Sequence, residues 1–326
     1  MTSAPKLSPL DVFTAEEWEG LRARQSWRGL ALIAHAWGLI ALAMGLVAVW
    51  PNPLTIALAV MVVGARQLGL AILMHEAAHG GLHPNAKLND RLGQWLCAAP
   101  VGAHLQSYRS YHLAHHRYVQ QAEDPDLPLT APFPVSPASL RRKIFRDLTG
   151  QTFIKQRLAS FRALFLATGT VSGGDNGQKD DQDAMAPQRN GVVDNRRGVR
   201  DHLIFNAGFA LVLTLAGYGW LYLVAWLLPM ATWFPFATRL RNIGEHAGLN
   251  KSNDPLALAR TTHAAWWERL LIAPYWVHYH AEHHAFMHLP CYRLRAAHER
   301  LCANGHGGRI PQAQSYGEIL GAVVRV

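Results

Sequence analysis

From Leu30 to Trp50 the chain runs for 21 residues without an Asp, Glu, Lys or Arg. After the turn Pro51-Asn52-Pro53 a second apolar run, Leu54 to Met74, returns and is broken only by Arg66. As helices, two runs of this length each cover a hydrocarbon core of roughly 30 Å. A soluble helical protein that buries both hairpin arms is the alternative, and stretches this long and this poor in charge disfavour it. A second hairpin is expected from about Leu203 to Ala237, with Gly217-Tyr218-Gly219 near its turn.

Basic residues set the orientation. Of the 31 Lys and Arg, 4 precede Gly29, 16 lie between Glu76 and Arg200, 10 follow Thr238 and one is Arg66. Neither hairpin turn carries any. Both hairpins are therefore expected to enter from the cytoplasmic side, with both termini and the polar mass remaining there. The polar stretch 1–29, with Lys6, Arg22, Arg24 and Arg28, is expected to be a cytoplasmic segment rather than a secretory signal. Three widely spaced cysteines, Cys97, Cys291 and Cys302, exclude a disulfide scaffold, a cysteine-box iron–sulfur site and a CxxC redox pair.

The expected architecture is an all-α integral membrane protein of two transmembrane hairpins, about four spans, under a cytoplasmic helical cap. Residues 1–29 form the N-terminal segment and 30–74 the first hairpin. Residues 75–171 are cytoplasmic helices, 172–200 a flexible loop poor in aromatics, 201–237 the second hairpin and 238–326 further cytoplasmic helices. Within these, Leu92 to Val101 is apolar but too short to span, which suits a core or re-entrant helix. Ser139 to Leu166 mixes Arg141, Arg142, Lys143, Arg146, Lys155, Arg157 and Arg162 with Ile144, Phe145, Phe153, Ile154, Phe161 and Phe165. One or two basic helices lying in the membrane interface fit that pattern, as does an ordinary solvated amphipathic helix.

The chain holds 18 histidines, and they cluster. His75-Glu76-Ala77-Ala78-His79 follows the second apolar run; its i, i+4 spacing puts both imidazoles on one helix face. Alone it reads as the H-E-x-x-H of zinc proteases, with glutamate as general base. His112-Leu113-Ala114-His115-His116 and His280-Ala281-Glu282-His283-His284 are two further boxes, each with i, i+3 and i+4 partners. Eight clustered histidines exceed the three or four ligands of one tetrahedral zinc, and a protease would leave six of them unexplained. They suit two metal ions in nitrogen-rich shells, and imidazole alone does not choose among zinc, copper, iron and nickel. His35, His202, His263 and His306 stand outside the boxes and are read as satisfied core histidines.

With these motifs in their order, the sequence resembles the membrane fatty acid desaturase family. The resemblance rests on HEAAH, on YHLAHH followed by Glu123–Asp126, on RNIGEH at Arg241–His246 and on YHAEHH at Tyr279–His284. Leu289-Pro290-Cys291-Tyr292-Arg293-Leu294 continues the third box as the family does. It runs from about His75 to Leu301, interrupted at Ser172–Arg200. The resemblance implies a non-haem di-iron centre held by His75, His79, His112, His115, His116, His280, His283 and His284, with His246 as a further ligand. It also implies Asn242, one helical turn before His246, as the holder of a metal-bound water. Glu76, Asp124, Asp126, Glu245 and Glu282 sit where a carboxylate would accept an N–H bond from a ligand imidazole, and Asp124 is the preferred one. Helix capping, and ordinary turn chemistry at Asp124-Pro125-Asp126, are the competing readings.

What the resemblance implies chemically is O2-dependent desaturation of a lipid acyl chain, with electrons from an external carrier. An unactivated C–H bond lies beyond side-chain acid–base chemistry, so the cofactor carries that step and no general acid or base is assigned. The chain has no flavin, haem or iron–sulfur motif, which leaves a ferredoxin, rubredoxin or cytochrome b5 and its reductase as donor. A formal charge of +9 would steer an acidic carrier, although positive-inside bias or anionic lipid explains it equally well. Nucleic-acid binding has no basic, aromatic-lined groove to support it.

His280 in place of Gln, and the lack of an H-P-G-G haem segment, weigh against a front-end desaturase. The first box is one residue tighter than in animal acyl-CoA desaturases, which favours a phospholipid, sphingolipid or carrier-bound chain. RNIGEHAGL resembles the N-Y-x-E-H-Y-G-L of alkane hydroxylases, but Gly80 replaces their Lys and their long D-H-H-A box is missing. Carotenoid ketolases and hydroxylases share similar boxes. Desaturation and hydroxylation differ in how the chain is held, not in ligands, so a hydroxylase on the same scaffold stays open.

Overall fold

The computed structural model describes residues 4–165 and 195–325. After α1 (Ala15–Arg22), α2 (Ser26–Val49) and α3 (Pro53–Ala78) form the expected first hairpin. Its turn is explicit chemistry. Asn52 accepts from the amides of Leu54 and Thr55, the Thr55 hydroxyl answers the Asn52 amide, and Pro53 occupies the first turn, where no N–H is needed. From Val63 onward every residue of α3 except the half-buried Ala71 is buried, so this helix is the axis of the molecule. Arg66 does not face lipid: its Nη2 donates to the Leu270 carbonyl at 2.5 Å and its guanidinium lies over the Tyr275 ring.

The apolar stretch expected as a core helix belongs to a longer one. Ala86–Leu92 continues through a wide turn, Gly93–Ala98, into Ala99–Val101 as one rod, α4, stopped by Gly102 at φ +86°. α5 (Leu105–Tyr118) follows, its first amide capped by the Gln94 side chain. The basic stretch forms two helices, α6 (Pro137–Leu148) and α7 (Gln151–Phe165), hinged at Gly150. Phe145, Leu148, Ile154, Leu158 and Phe161 are exposed on them.

α8 (Asn195–Leu215) begins inside the stretch expected as loop; residues 172–194 lie outside the described ones. A turn at 216–218 leads into α9 (Gly219–His246), bent where the wide turn Tyr222–Leu227, Pro229 and the irregular Thr232 interrupt its hydrogen-bond ladder. Among the described residues three helices, α2, α3 and α9, are long and apolar enough to cross a membrane. The expected fourth span, α8, falls short because Arg196, Arg197, Arg200 and Asp201 occupy its first turns. Its apolar remainder from Leu203 covers only about 20 Å. α8 is nonetheless tied into the bundle. Asn206 Oδ1 accepts from the buried Trp226 indole at 2.8 Å and from the Tyr222 hydroxyl at 3.1 Å, while Gln67 donates to the Trp226 carbonyl and Trp37 stacks on the Trp226 ring.

Beyond α9 come α10 (Trp266–Leu271), α11 (His280–Ala285), α12 (Leu294–Ala303) and α13 (Tyr316–Val323). Among the described residues, extended structure is confined to isolated bridges and one small parallel pair, β1 (Thr261–Thr262) with β2 (Gln312–Ala313). The N-terminal segment packs on this end: Val12, Phe13 and Leu21 share a core with Phe286, Leu289, Leu294 and Leu301.

Candidate metal centre

Three helices supply the eight box histidines and a fourth supplies His246. His75 lies in the last turn of α3 and His79 caps it. The Ala78 carbonyl, left without a helical partner at the C-terminus, accepts from Arg109 Nε at 2.9 Å, and the Ala77 carbonyl, which also takes the Gly80 amide, accepts from Asn89 Nδ2 and Arg109 Nη2, each at 2.9 Å. Asp90 pairs with the same guanidinium. α5 carries His112, His115 and His116, α11 carries His280, His283 and His284, and α9 ends on His246.

The structure brings all nine histidines expected as ligands together, in two groups. His75, His79, His112, His116 and His283 form one; His115, His246, His280 and His284 form the other, with ligand atoms in each group within 4.8 Å of one another. The i, i+4 pairs stay together, whereas the third member of each triple box crosses: His115 leaves His112 and His116, and His283 leaves His280 and His284.

The ring nitrogens themselves test whether a metal fits. His116 Nε2 lies 2.9 Å from His112 Nε2 and 3.0 Å from His283 Nε2; His246 and His280 approach at 3.0 Å, His280 and His284 at 3.1 Å. Two nitrogens held at right angles on one ion with bonds of about 2.0–2.1 Å would stand about 3 Å apart. His246 Nδ1 faces the Leu258 carbonyl, which only accepts, so that nitrogen carries the proton and Nε2 presents a lone pair. His280 Nδ1 lies 3.3 Å from the Glu245 carboxyl. The His246 Nε2 lone pair stands 3.0 Å from His280 Nε2, a spacing that suits two nitrogens on one cation. In the five-histidine group, His75 Nε2 and both His79 nitrogens are buried without a hydrogen-bond partner. Unsatisfied buried nitrogens are costly unless a ligand takes them.

Burial pushes His112, His116, His280, His283 and His284 well below the ordinary histidine range, reinforced by neighbouring histidines. His79 is pushed down to about 3 by burial and then by His288 and Arg109. Neutral imidazole is the metal-binding form. At His115 burial is outweighed by Asp126 and Asp124, which raise it.

The five acidic residues divide. Asp124 accepts from His115 Nδ1 at 2.8 Å and is itself held by the amides of Gln120 and Asp126. Asp126 stands farther off, 3.7 Å from the same nitrogen, and accepts from the Tyr111 hydroxyl. Glu245 lies 3.3 Å from His280 Nδ1 and pairs with Arg241. The other two do not touch a ligand ring. Glu76 turns away to accept the Cys291 amide at 3.1 Å, tying the first box to the loop after the third. Glu282 accepts from Thr261 Oγ1 and His298 Nδ1, each at 2.6 Å. Asn242 lies one turn before His246, and its Oδ1 accepts from Arg241.

Sequence reasoning did not single out Tyr108, which stacks on His112 at 8° between planes, nor the half-buried Arg241 and the buried Thr261 and His298. Arg241 stood inside RNIGEH; the other three carried no spacing signal. The four histidines set aside join neither group. They do find partners: Tyr275 for His35, Ala99 for His202, Gln312 for His263 and Arg309 for His306. None is a core residue, however, because all four retain exposure.

Residues 51–314 match the model of the fatty acid desaturase family. The chain belongs to that family. It is also similar to dihydrorhizobitoxine desaturase of Bradyrhizobium elkanii, 28% identical over 278 residues that cover 82% of this chain and 74% of that protein. Family and histidine groups together define a membrane-associated oxidoreductase of the desaturase and hydroxylase type.

Proposed function

We propose that the chain is an O2-dependent di-iron desaturase that introduces a double bond into a lipid acyl chain. The observation that carries the reading is the convergence of nine imidazoles into groups of five and four where α3 and α9 end. Two irons held there supply, with O2, the oxidising power that breaks an unactivated C–H bond. His75, His79, His112, His116 and His283 would hold one; His115, His246, His280 and His284 the other. Asp124 keeps His115 turned with Nε2 inward and raises its basicity. Asn242 would orient a water on the four-histidine side, where one fewer imidazole leaves room. Tyr108 walls the five-histidine side and helps to exclude bulk water.

The remaining expectations join this reading. α8 completes a second hairpin with α9, α6 and α7 lie in the interface with their exposed apolar side chains in lipid, and the metal end faces the cytoplasm. Electrons come from a ferredoxin, rubredoxin or cytochrome b5 system. The relative from B. elkanii supports desaturation over hydroxylation because it is itself named a desaturase. Its name carries dihydrorhizobitoxine rather than a fatty acid, so the test must survey more than fatty acids.

The test is untargeted mass spectrometry of lipid and small-molecule extracts from cells expressing the wild type or His283→Ala with a matched electron donor. A species lighter by two hydrogens, absent in the variant, is the expected result. A species heavier by one oxygen would replace the desaturase by a hydroxylase. Equal products from both proteins would overturn the site.

A further inference from the structure

We propose that Thr261 and His298 are positioning residues for the metal centre, acting through Glu282 as a rear strut on the third histidine box. The proposal rests on the di-iron reading above. α11 is only six residues long, and no side chain caps its start. A helix this short has no stability of its own, so tertiary contacts must set its rotation. That rotation matters more here than anywhere else in the chain, because α11 supplies three of the nine clustered imidazoles.

At about 100° per residue, His280, His283 and His284 share one face, and Glu282 stands about 200° from His280, on the opposite side. There its carboxylate is fully buried, and each oxygen has one short bond: Oε2 from the Thr261 hydroxyl and Oε1 from His298 Nδ1, both at 2.6 Å. Both donors are anchored independently of α11. Thr261 is 0% exposed, its amide donates to the Pro311 carbonyl at 2.9 Å, and it belongs to β1. His298 projects from α12, is 7% exposed and has Cys302 Sγ 3.6 Å from its other nitrogen. The next strand residue, Thr262, donates to the His278 carbonyl just before the box. A buried carboxylate gripped from two elements resists both rolling and sliding of α11.

The strut predicts an asymmetry that a general packing role would not. α11 provides His280 and His284 to the group of four but only His283 to the group of five. Loosening it removes good geometry from half the ligands of one ion and from a fifth of the other's. The four-histidine site should therefore weaken first.

The experiment measures iron per chain on purified, detergent-solubilised wild type, Thr261→Val, Thr261→Ser, His298→Ala and Glu282→Gln across a chelator series, with thermal unfolding alongside. The expected result is release of one iron at about 10–100-fold lower chelator concentration in Thr261→Val, His298→Ala and Glu282→Gln. The second iron should stay at its wild-type midpoint. Thr261→Ser, which keeps the hydroxyl, should restore wild-type behaviour. Wild-type retention of both irons in all variants would overturn the strut, as would loss of both together with a collapse of the unfolding midpoint. A wild type that never holds two irons would overturn the di-iron reading itself.

Discussion

Replacing Asp124 with Asn keeps the shape of the side chain beside His115 and removes its charge. In the native site Oδ1 accepts His115 Nδ1 at 2.8 Å and the Asp126 amide at 2.9 Å, while Oδ2 accepts the Gln120 amide at 3.0 Å. Asparagine has one oxygen for these donors. If that oxygen stays with His115, a charge-assisted bond worth about 1.5–3 kcal/mol becomes a neutral one worth about 0.5–1.5 kcal/mol. The amide nitrogen then faces the Gln120 N–H, donor against donor, in a site where Asp124 is only 6% exposed. The two effects together place the loss at about 1.5–3 kcal/mol, in line with the roughly 10–100-fold fall in metal affinity typical when a ligand's hydrogen-bond partner is lost. On the proposed di-iron reading, one iron should be affected, because His115 belongs only to the four-histidine group. A competition titration against a chelator should show a biphasic release in Asp124→Asn, with the second phase at the wild-type position. Parallel loss of both irons, or an unshifted first phase, would refute the reasoning.

Three further outcomes follow from other parts of the molecule. Asp147 is fully buried between Arg239, at 2.5 and 2.9 Å, and Thr152, at 2.6 Å; Asp147→Ala should cost about 3–5 kcal/mol of stability, seen in unfolding midpoints in detergent. A Cβ at Gly29 would overlap the Leu82 backbone carbonyl, which cannot swing aside, so Gly29→Ala should cost about 1–3 kcal/mol; a neutral result would show that α2 and that loop part easily. In metal-free protein, His112, His116, His280, His283 and His284 are held neutral by burial, and His79 is pushed down to about 3. The unfolded chain binds protons that the folded chain refuses. Stability should therefore be intact above about pH 6.5 and fall below it, by about 1.4 kcal/mol per pH unit for each such group. Unfolding curves that do not shift between about pH 7.5 and 5.5 would contradict that burial.

How much of this was written in the sequence depends on the range of the interaction. The first hairpin was legible because charge-free length and an Asn52-Pro53 turn are local properties. Arg66 was not: its partner, the Leu270 carbonyl, lies 204 residues away, and only the folded chain shows that an arginine in an apolar helix faces protein rather than lipid. That the chain is already helical at Asn195 was missed because a composition rich in Gly, Asp and Asn hid it, and the charged turns around Arg196–Asp201 kept α8 below the length of a free-standing span.

The site divides in the same way. Spacing announced which histidines cluster, since i, i+3 and i+4 histidines must share a helix face. It could not announce how they divide between the two groups, because that depends on which neighbouring helix each ring meets. His115 and His283 cross from one group to the other because α5 and α11 face each other across the centre, with His116 Nε2 3.0 Å from His283 Nε2 and His115 Nε2 3.2 Å from His284 Nε2. The glutamates inside the boxes were misplaced for a reason that was legible. Glu76 follows His75 by one residue and Glu282 follows His280 by two, and at about 100° per residue neither position falls on the ligand face. A carboxylate within a box therefore holds the helix from behind. The residue that orients a ligand ring comes from a different segment, as Asp124 does from the turn after α5.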